Sequence, residues 1–302
     1  MSILTLTNRS PEAVALMERA VKGRSLWDDA GRRLLRNKAA VASMITLGVL
    51  VLCALIGPLV VPYAYDEINK NDVWLPPLTS GHLIGSDALG RDLLARLFTG
   101  LGVSLAIGAV ATAVSLVIGV AWGAIAGYVG GVVDEVMMRI VDVLYSLPYI
   151  FFVIILMVTF GSNFILLFVA IGAVQWLTMA RIVRGQTLSL KQKEFIEAAR
   201  AIGLSRLQII ARHIVPNLLG PVVVYVTLTI PGVILAESFL SFLGLGVQPP
   251  MASLGTLISN GAQDMELAPW LLIFPSITMV VTLMCFNFIG DGLRDAIDPK
   301  DR

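Results

Sequence analysis

The sequence predicts an all-α integral membrane protein with six transmembrane helices. Two observations lead to this prediction. The composition is 57% hydrophobic and only 14% charged, whereas soluble domains carry about 25% charged residues, and the mean hydropathy is +0.83. The apolar residues are also grouped into six runs, each close to the roughly 20 residues that a helix needs to cross the hydrocarbon core of a bilayer.

The runs divide the chain into a polar tail at residues 1–38 and a six-helix domain at residues 39–302. The tail is expected to form an amphipathic helix at the membrane surface, with Trp27, Leu34 and Leu35 in the lipid and its arginines facing the phosphates. The six predicted spans are residues 39–62, 103–128, 141–160, 163–180, 218–243 and 270–290.

The distribution of basic residues predicts the orientation of these spans. Of the 22 Lys and Arg residues, all except Lys70, Arg91 and Arg96 fall on one side of the predicted spans. An excess of Lys and Arg marks the cytoplasmic side of a membrane protein. Both termini and the segment at residues 181–217 are therefore predicted to be cytosolic.

The segment at residues 193–216 is charged and helix-prone, although it lies between two predicted spans. Four of its apolar residues recur at helical spacing and so share one predicted face: Phe195, Ala198, Ala199 and Ile202. Gly203 is expected to end this helix, and Pro216 to end the helical piece that follows. A helix of about ten residues is marginal alone in water, so it is expected to pack on its own bundle, on the bilayer or on another protein.

Within this segment, the sequence follows a recognisable pattern: EAA, three residues, G, nine residues, I, one residue, L, P. The matching residues are Glu197, Ala198, Ala199, Gly203 and Pro216, with His213 in place of isoleucine and Val215 in place of leucine. This resembles the EAA loop of the membrane subunits of binding-protein-dependent ABC importers. Three further stretches, "HLIGSDALGRDLLARLFTGLGVSL", "GYVGGVVDEVMMRIVDVLYSLP" and "ESFLSFLGLGVQPP", are similar to the peptide and nickel branch of that family.

The resemblance extends from about residue 24 to residue 302 and implies a type I ABC importer permease fold with a cytosolic coupling helix. In that family the loop docks in a cleft on an ATPase subunit and converts closure of the ATPase pair into helix movement. The residues that the resemblance implicates in ATPase coupling are Phe195, Glu197, Ala198, Ala199, Arg200, Gly203 and Pro216.

The resemblance also implies the cargo, the partners and the location. It predicts a permease that moves oligopeptides across the bacterial inner membrane, although dipeptides, murein peptides and nickel complexes remain open alternatives. The implied partners are a homologous second permease subunit, two cytosolic ATPase subunits, an extracytoplasmic peptide-binding protein and membrane lipid. ATP and Mg are expected on the ATPase subunits.

The chain itself is not expected to be catalytic. It contains no G-x-x-x-x-G-K-[ST] phosphate loop and no H-E-x-x-H or G-x-S-x-G motif, which are the usual parts of ATP hydrolysis and of hydrolase chemistry. No cofactor or metal site is predicted, and the net charge of +1 gives no reason to expect nucleic acid. The competing classes are an autonomous secondary transporter, which would use intramembrane charges or broken repeats, and a membrane enzyme.

Glu237 is the acidic residue that lies well inside a confidently predicted span, and an intramembrane ionisable group is a functional hypothesis by default. It is expected either to line the translocation path and meet the amino end of a passing peptide, or to be a hydrogen-bonded packing residue, which is the preferred alternative. Arg139 and Asp142, three residues apart, are expected to form a local ion pair.

A glycine-rich, charged cluster lies outside the membrane before the second span. It is expected either to dock the binding protein or to fix the helix "RDLLARLF" on the outer surface. We call this cluster the charged knot: Gly85, Asp87, Gly90, Arg91 and Asp92.

Overall fold

The computed structural model describes residues 26–161 and 164–297 of the chain. These residues form the helices α1 (Leu26–Arg36), α2 (Lys38–Val60), α3 (Leu93–Val129), α4 (Gly131–Ser146), α5 (Tyr149–Phe160), α6 (Phe164–Leu190), α7 (Glu194–Ala201), α8 (Arg206–Ile209), α9 (Val215–Phe242), α10 (Leu254–Gln263) and α11 (Trp270–Ile297). Most of the predicted tail at residues 1–38, the first residue of the predicted span 163–180 and the last five residues of the chain lie outside the described residues.

Four helical runs among the described residues are long and apolar enough to cross a membrane: α2, α3, the continuous run from Arg206 to Phe242, and α11. A fifth is added if α4 and α5 together form one span. The predicted span 141–160 stays a prediction, and α4 and α5, which share its residues, are bent by 80° at the break between them. Pro148 lies in that break, and proline both removes a backbone donor and obstructs the preceding turn. The described part of the predicted span 163–180, residues 164–180, falls within α6, and this span stays a prediction.

Asn37 caps the start of α2, and Asp92 caps the start of α3. The Asn37 side chain accepts hydrogen bonds from the backbone N–H groups of Ala39 at 3.1 Å and Ala40 at 3.2 Å. The Asp92 carboxylate accepts one from Ala95 N–H at 2.7 Å, so α3 starts well before the predicted residue 103. At 1.5 Å per residue α3 is about 55 Å long, which exceeds the roughly 30 Å hydrocarbon core, so it extends beyond the core.

A stripe of glycines joins α3 closely to α6. A Cβ atom on Gly119 would lie 2.6 Å from the Met179 side chain, and one on Gly127 would lie 2.8 Å from Thr187. Gly123, between them, faces the backbone of α6 in the same way. Small residues at spacing of four let helix backbones approach closely in a membrane, and here they make α3 and α6 a tightly packed pair.

The other side of the bundle is built around α11. A Cβ atom on Gly290 would lie 2.7 Å from Leu228 of α9, and one on Gly292 would lie 2.6 Å from Ala40 of α2. Leu34 of α1 also approaches Gly292 and is partly buried, whereas Leu35 is exposed; their predicted place in the lipid stays a prediction. α11 is thereby held between α9 and the N-terminal helices.

Candidate functional site

The short helix α7 contains the EAA residues, and its sequence favours a helix at both ends. Glu194 and Glu197 lie in its first turn and Arg200 in its last turn, which complements the helix dipole. Gly203 adopts a positive φ of 82°, and its N–H donates to the Arg200 carbonyl at 2.9 Å. Because glycine enters this left-handed region without a Cβ clash, the chain turns here and α7 stays eight residues long.

Two faces of α7 are apolar, and the fold buries one of them and leaves the other exposed. Ile196 and Ala199 are buried, 0% and 4% exposed, in a cluster with Val183 of α6 and Ile214. The other apolar positions point outward and are exposed. We call these residues the outward ridge: Phe195, Ala198 and Ile202.

The predicted single stripe is therefore split by the structure. Ala199 belongs with Ile196 on the inward face, while Phe195 is 40% and Ile202 76% exposed. Successive helical residues are about 100° apart, so a run of adjacent apolar residues covers a wide arc. The fold buries one part of that arc and leaves the other part uncovered by the described chain.

The chain between α7 and α9 remains helical beyond the turn at Gly203. Ser205 and Gln208 form a capping box, in which Ser205 N–H donates to Gln208 Oε1 at 2.9 Å. This feature is readable from the Ser-x-x-Gln spacing. A π-helical turn at Ile210–Ile214 follows and leads directly into α9.

Pro216 does not end this helical run, so that prediction is wrong. It lies in the first turn of α9, directly after the π turn, and the helical run continues through it. In the π turn before it, the backbone hydrogen bonds join residues five apart instead of four. Such turns are frequent at functional sites.

The charged knot lies in the loop between α2 and α3, and most of it is buried. Asp87 Oδ1 accepts from the N–H groups of Leu89 at 2.9 Å and Arg91 at 3.0 Å. Asp87 Oδ2 accepts from Arg91 Nε at 2.7 Å and lies 3.5 Å from Nε of the buried Arg96. The charged groups of the knot are therefore paired within the chain, with backbone N–H groups and with neighbouring side chains.

Three further residues of the knot are equally constrained. Asp92 Oδ2 lies 2.7 Å from His82 Nδ1, an interaction that sequence reasoning missed because the ten intervening residues form an irregular loop. Gly85 has a φ of 94°, and a Cβ atom there would lie 2.6 Å from both the Leu75 carbonyl and Trp270 Nε1. Gly90, at φ 74°, is packed just as closely on the Asn69 backbone.

Glu237 is fully buried and joins α9 to the start of α10. Its Oε1 accepts from Ser241 Oγ and from Ser253 Oγ, both at 2.6 Å. Ser253 is the capping residue of α10, so the carboxyl group holds the first turn of that helix against α9.

A cavity of about 700 Å³ opens where the α4–α5 bend meets α6 and α9. Tyr145, Gln175 and Thr178 line it among mostly apolar neighbours, and α9 contributes Ala236 and Phe239. Sequence reasoning did not find this cavity because it depends on the bend. At 100° per residue, Glu237 lies on a different face of α9 from the lining residues.

Beside the cavity, Asp142 pairs with Arg181 of α6 at 2.8 Å, and the Arg181 guanidinium lies 4.2 Å from the centre of the Tyr145 ring. This corrects the expected local pair between Arg139 and Asp142. A bidentate pair between Arg184 and Asp134, at 2.6 and 2.7 Å, joins the same two helices nearby.

Comparisons with known proteins show which family and which solved structures are similar to this chain. Residues 119–302 match the family described as "Binding-protein-dependent transport system inner membrane component", and residues 25–77 match "N-terminal TM domain of oligopeptide transport permease C". A chain of the inward-facing MetNI methionine ABC transporter has a TM-score of 0.56 at 20% identity, covering 68% of this chain and 96% of that one. This likeness concerns the fold.

Several curated proteins are similar over nearly the full length. The chain is 58% identical to the oligopeptide transport system permease protein OppC of Escherichia coli K12, over 93% of this chain and 94% of the relative. It is 55% identical to OppC of Haemophilus influenzae, over 94% and 92%. It is also 43% identical to the dipeptide transport system permease protein DppC of Bacillus subtilis, over 92% and 87%.

The apolar helical runs and the packed bundle define an α-helical integral membrane protein. The family match and the identity to these relatives make the assignment specific. The chain belongs to the binding-protein-dependent transport system inner membrane components, which are the permease subunits of ABC importers.

Proposed function

We propose that this chain is the permease subunit of an ATP-driven, binding-protein-dependent importer that moves oligopeptides across the bacterial inner membrane. It pairs with a homologous second permease subunit, carries two cytosolic ATPase subunits and receives peptide from an extracytoplasmic binding protein. ATP and Mg are bound by the ATPase subunits, and this chain is not itself catalytic. The full-length similarity to OppC proteins supports this assignment.

The outward ridge of α7 is the observation that carries the proposal. Its apolar side chains are exposed in the described chain, and a short helix with an exposed apolar face is a typical insert for a groove on another protein. Because the excess of Lys and Arg assigns this segment to the cytosol, the groove belongs to a cytosolic partner. We assign that groove to the ATPase subunit.

The structure supports distinct roles for the residues of this segment. Phe195, Ala198 and Ile202 contact the ATPase, and the exposed Glu197 pairs with a basic residue or caps the docked helix. Ala199 holds the helix to the bundle from within. Gly203 provides the turn.

The cavity beside the α4–α5 bend supports a translocation path with little side-chain selectivity. Its wall is mostly apolar and carries few polar groups, so peptide selection falls mainly to the external binding protein. Relatives named for oligopeptides and for dipeptides are each similar to this chain over more than nine-tenths of its length, 93% and 92%, in keeping with that division of labour.

The contacts of Glu237 and of the charged knot support structural roles for both. Glu237 is turned away from the cavity wall and holds α9 to α10. The buried carboxylates of the knot fix the loop that starts α3, so docking of the binding protein falls to the exposed parts of the outer surface.

The proposal is tested by reconstituting this chain with its second permease, its ATPase and its binding protein in liposomes. ATP is expected to drive uptake of peptides of several lengths, and a non-hydrolysable ATP analogue is expected to abolish uptake. Uptake that follows an ion gradient and ignores ATP would instead favour the secondary transporter. Preparations that never contain an ATPase would also contradict the proposal.

A further inference from the structure

A tyrosine at the end of α3 touches two cations of the loop that contains α7. Tyr128 is 5% exposed and is the last residue but one of α3. The Arg200 guanidinium lies 5.3 Å from its ring centre, and Arg200 Nε donates to the Tyr128 hydroxyl at 3.4 Å. Lys191 Nζ, just after α6, lies 5.8 Å from the same ring.

This contact differs in kind from the rest of the α7 attachment. The inward face of α7 packs through Ile196 and Ala199 in a cluster that also contains Tyr128 and Ala124 of α3, and hydrophobic contacts of that kind are not directional. A cation within about 6 Å of an aromatic ring is held by the ring quadrupole over the face. Tyr128 therefore gives α7 a directional connection to α3, a helix to which it is not joined directly in sequence.

The packing of α3 determines which helices a force applied at Tyr128 would reach. The glycine stripe packs α3 against α6 along several turns, so a force applied at Tyr128 acts on both helices. The connections of α7 along the chain lead to α6 on one side and to the π turn and α9 on the other. Tyr128 adds a third route, from the side of α7 into the central helix.

We propose that Tyr128 is a positioning residue through which displacement of α7 by the ATPase is transmitted to α3. This inference rests on the proposed function, because the displacement comes from the ATPase. It also reassigns Arg200, whose effect on transport passes through Tyr128 and α3 rather than through contact with the ATPase.

The test uses the complete complex in liposomes and measures the number of ATP molecules hydrolysed per peptide imported. Tyr128→Leu removes the ring, and Tyr128→Phe keeps the ring without the hydroxyl. We expect Tyr128→Leu to raise the ratio about tenfold, within the range of coupling energies that single residues modulate, and Tyr128→Phe to stay within about twofold of the wild type. ATPase subunits are expected to co-purify normally with both.

Arg200→Gln tests the same contact from its other partner. Because Arg200 is on the surface, this substitution leaves the core intact. It is expected to raise the ratio about as much as Tyr128→Leu. The double variant is expected to be no worse than Tyr128→Leu alone, because Tyr128→Leu already removes the contact that Arg200→Gln removes.

Three results would overturn the inference: an unchanged ratio in Tyr128→Leu, a Tyr128→Phe variant as impaired as Tyr128→Leu, or effects of Arg200→Gln and Tyr128→Leu that multiply. Each leaves the proposed function standing if wild-type uptake needs ATP. Wild-type uptake that does not need ATP would overturn the proposed function, and this inference with it.

Discussion

The outward ridge of α7 and the charged knot before α3 use their side chains in opposite ways. The ridge leaves apolar groups exposed, with Ile202 76% exposed, whereas the knot buries charged groups, with Asp92 3% and Asp87 9% exposed. Exposed apolar groups gain free energy when another surface covers them, while buried charges have already been matched within the chain. The contrast indicates that the ridge is the docking surface and the knot is a support.

The largest expected effect comes from placing charge on the ridge. Phe195→Glu combined with Ile202→Glu should lower ATP-dependent uptake roughly 100-fold or more, since central interface residues each contribute about 2 kcal/mol and about 1.4 kcal/mol corresponds to tenfold. The thermal stability of the isolated chain should hardly change, because both side chains are exposed. Uptake and the amount of co-purified ATPase are the measurements.

Lys193→Glu serves as the matched control, because it changes charge at the start of the same helix away from the ridge. It should retain most of the uptake. Normal ATPase attachment in the double ridge variant would show that the ridge is not the docking surface.

A smaller effect, on stability rather than coupling, is expected in the knot. Asp87→Ala leaves the buried Arg96 without its carboxylate and frees two backbone donors, and removing one member of a buried pair costs about 3 kcal/mol. The unfolding temperature in detergent should fall clearly, while the ATPase bound per folded molecule stays the same. Glu266→Ala, at an exposed carboxylate, should leave both unchanged, and a stable Asp87→Ala protein would refute the supporting role.

Two glycines, one in the knot and one just after α7, extend the comparison between these two regions. Gly85 and Gly203 both have positive φ, at 94° and 82°, but a Cβ atom would meet close neighbours at Gly85 and nothing within 4 Å at Gly203. Alanine should therefore cost about 1 kcal/mol at Gly203, from backbone strain alone, and more at Gly85. Chemical or thermal unfolding of both variants measures this difference, and equal costs would contradict the close packing of Gly85.

The smallest effect is expected at Glu237. Glu237→Gln keeps an acceptor oxygen for Ser241 and Ser253, so uptake should stay within about twofold of the wild type and stability within about 1 kcal/mol. Strongly slowed uptake with normal assembly would return Glu237 to the translocation path.

The sequence predicts the helical membrane fold well, because long apolar runs have few alternatives in a bilayer. It does not predict the bend between α4 and α5, since a proline at a span end permits either a gentle kink or a sharp break. The cavity beside that bend could therefore not be predicted from the sequence. The π turn before Pro216 was missed for a similar reason, because local residue preferences do not distinguish a π turn from a helix end.

The candidate site shows the same limit at the level of single residues. Periodicity identifies the apolar arc of α7, but only tertiary packing decides that Ala199 turns inward and Ala198 outward. Spacing favours a local partner for Asp142, whereas its partner Arg181 is 39 residues away. The contact between Tyr128 and Arg200 spans 72 residues, and no local pattern points to it.

Crosslinking from the two alanines of α7 tests the central claim most directly. In the assembled complex, with Cys53 and Cys285 replaced, Ala198→Cys on the outward ridge should crosslink to an ATPase subunit, and Ala199→Cys on the buried face should not. A crosslink from position 199 and none from position 198, or ATPase capture from neither, would contradict the docking of the outward ridge on the ATPase.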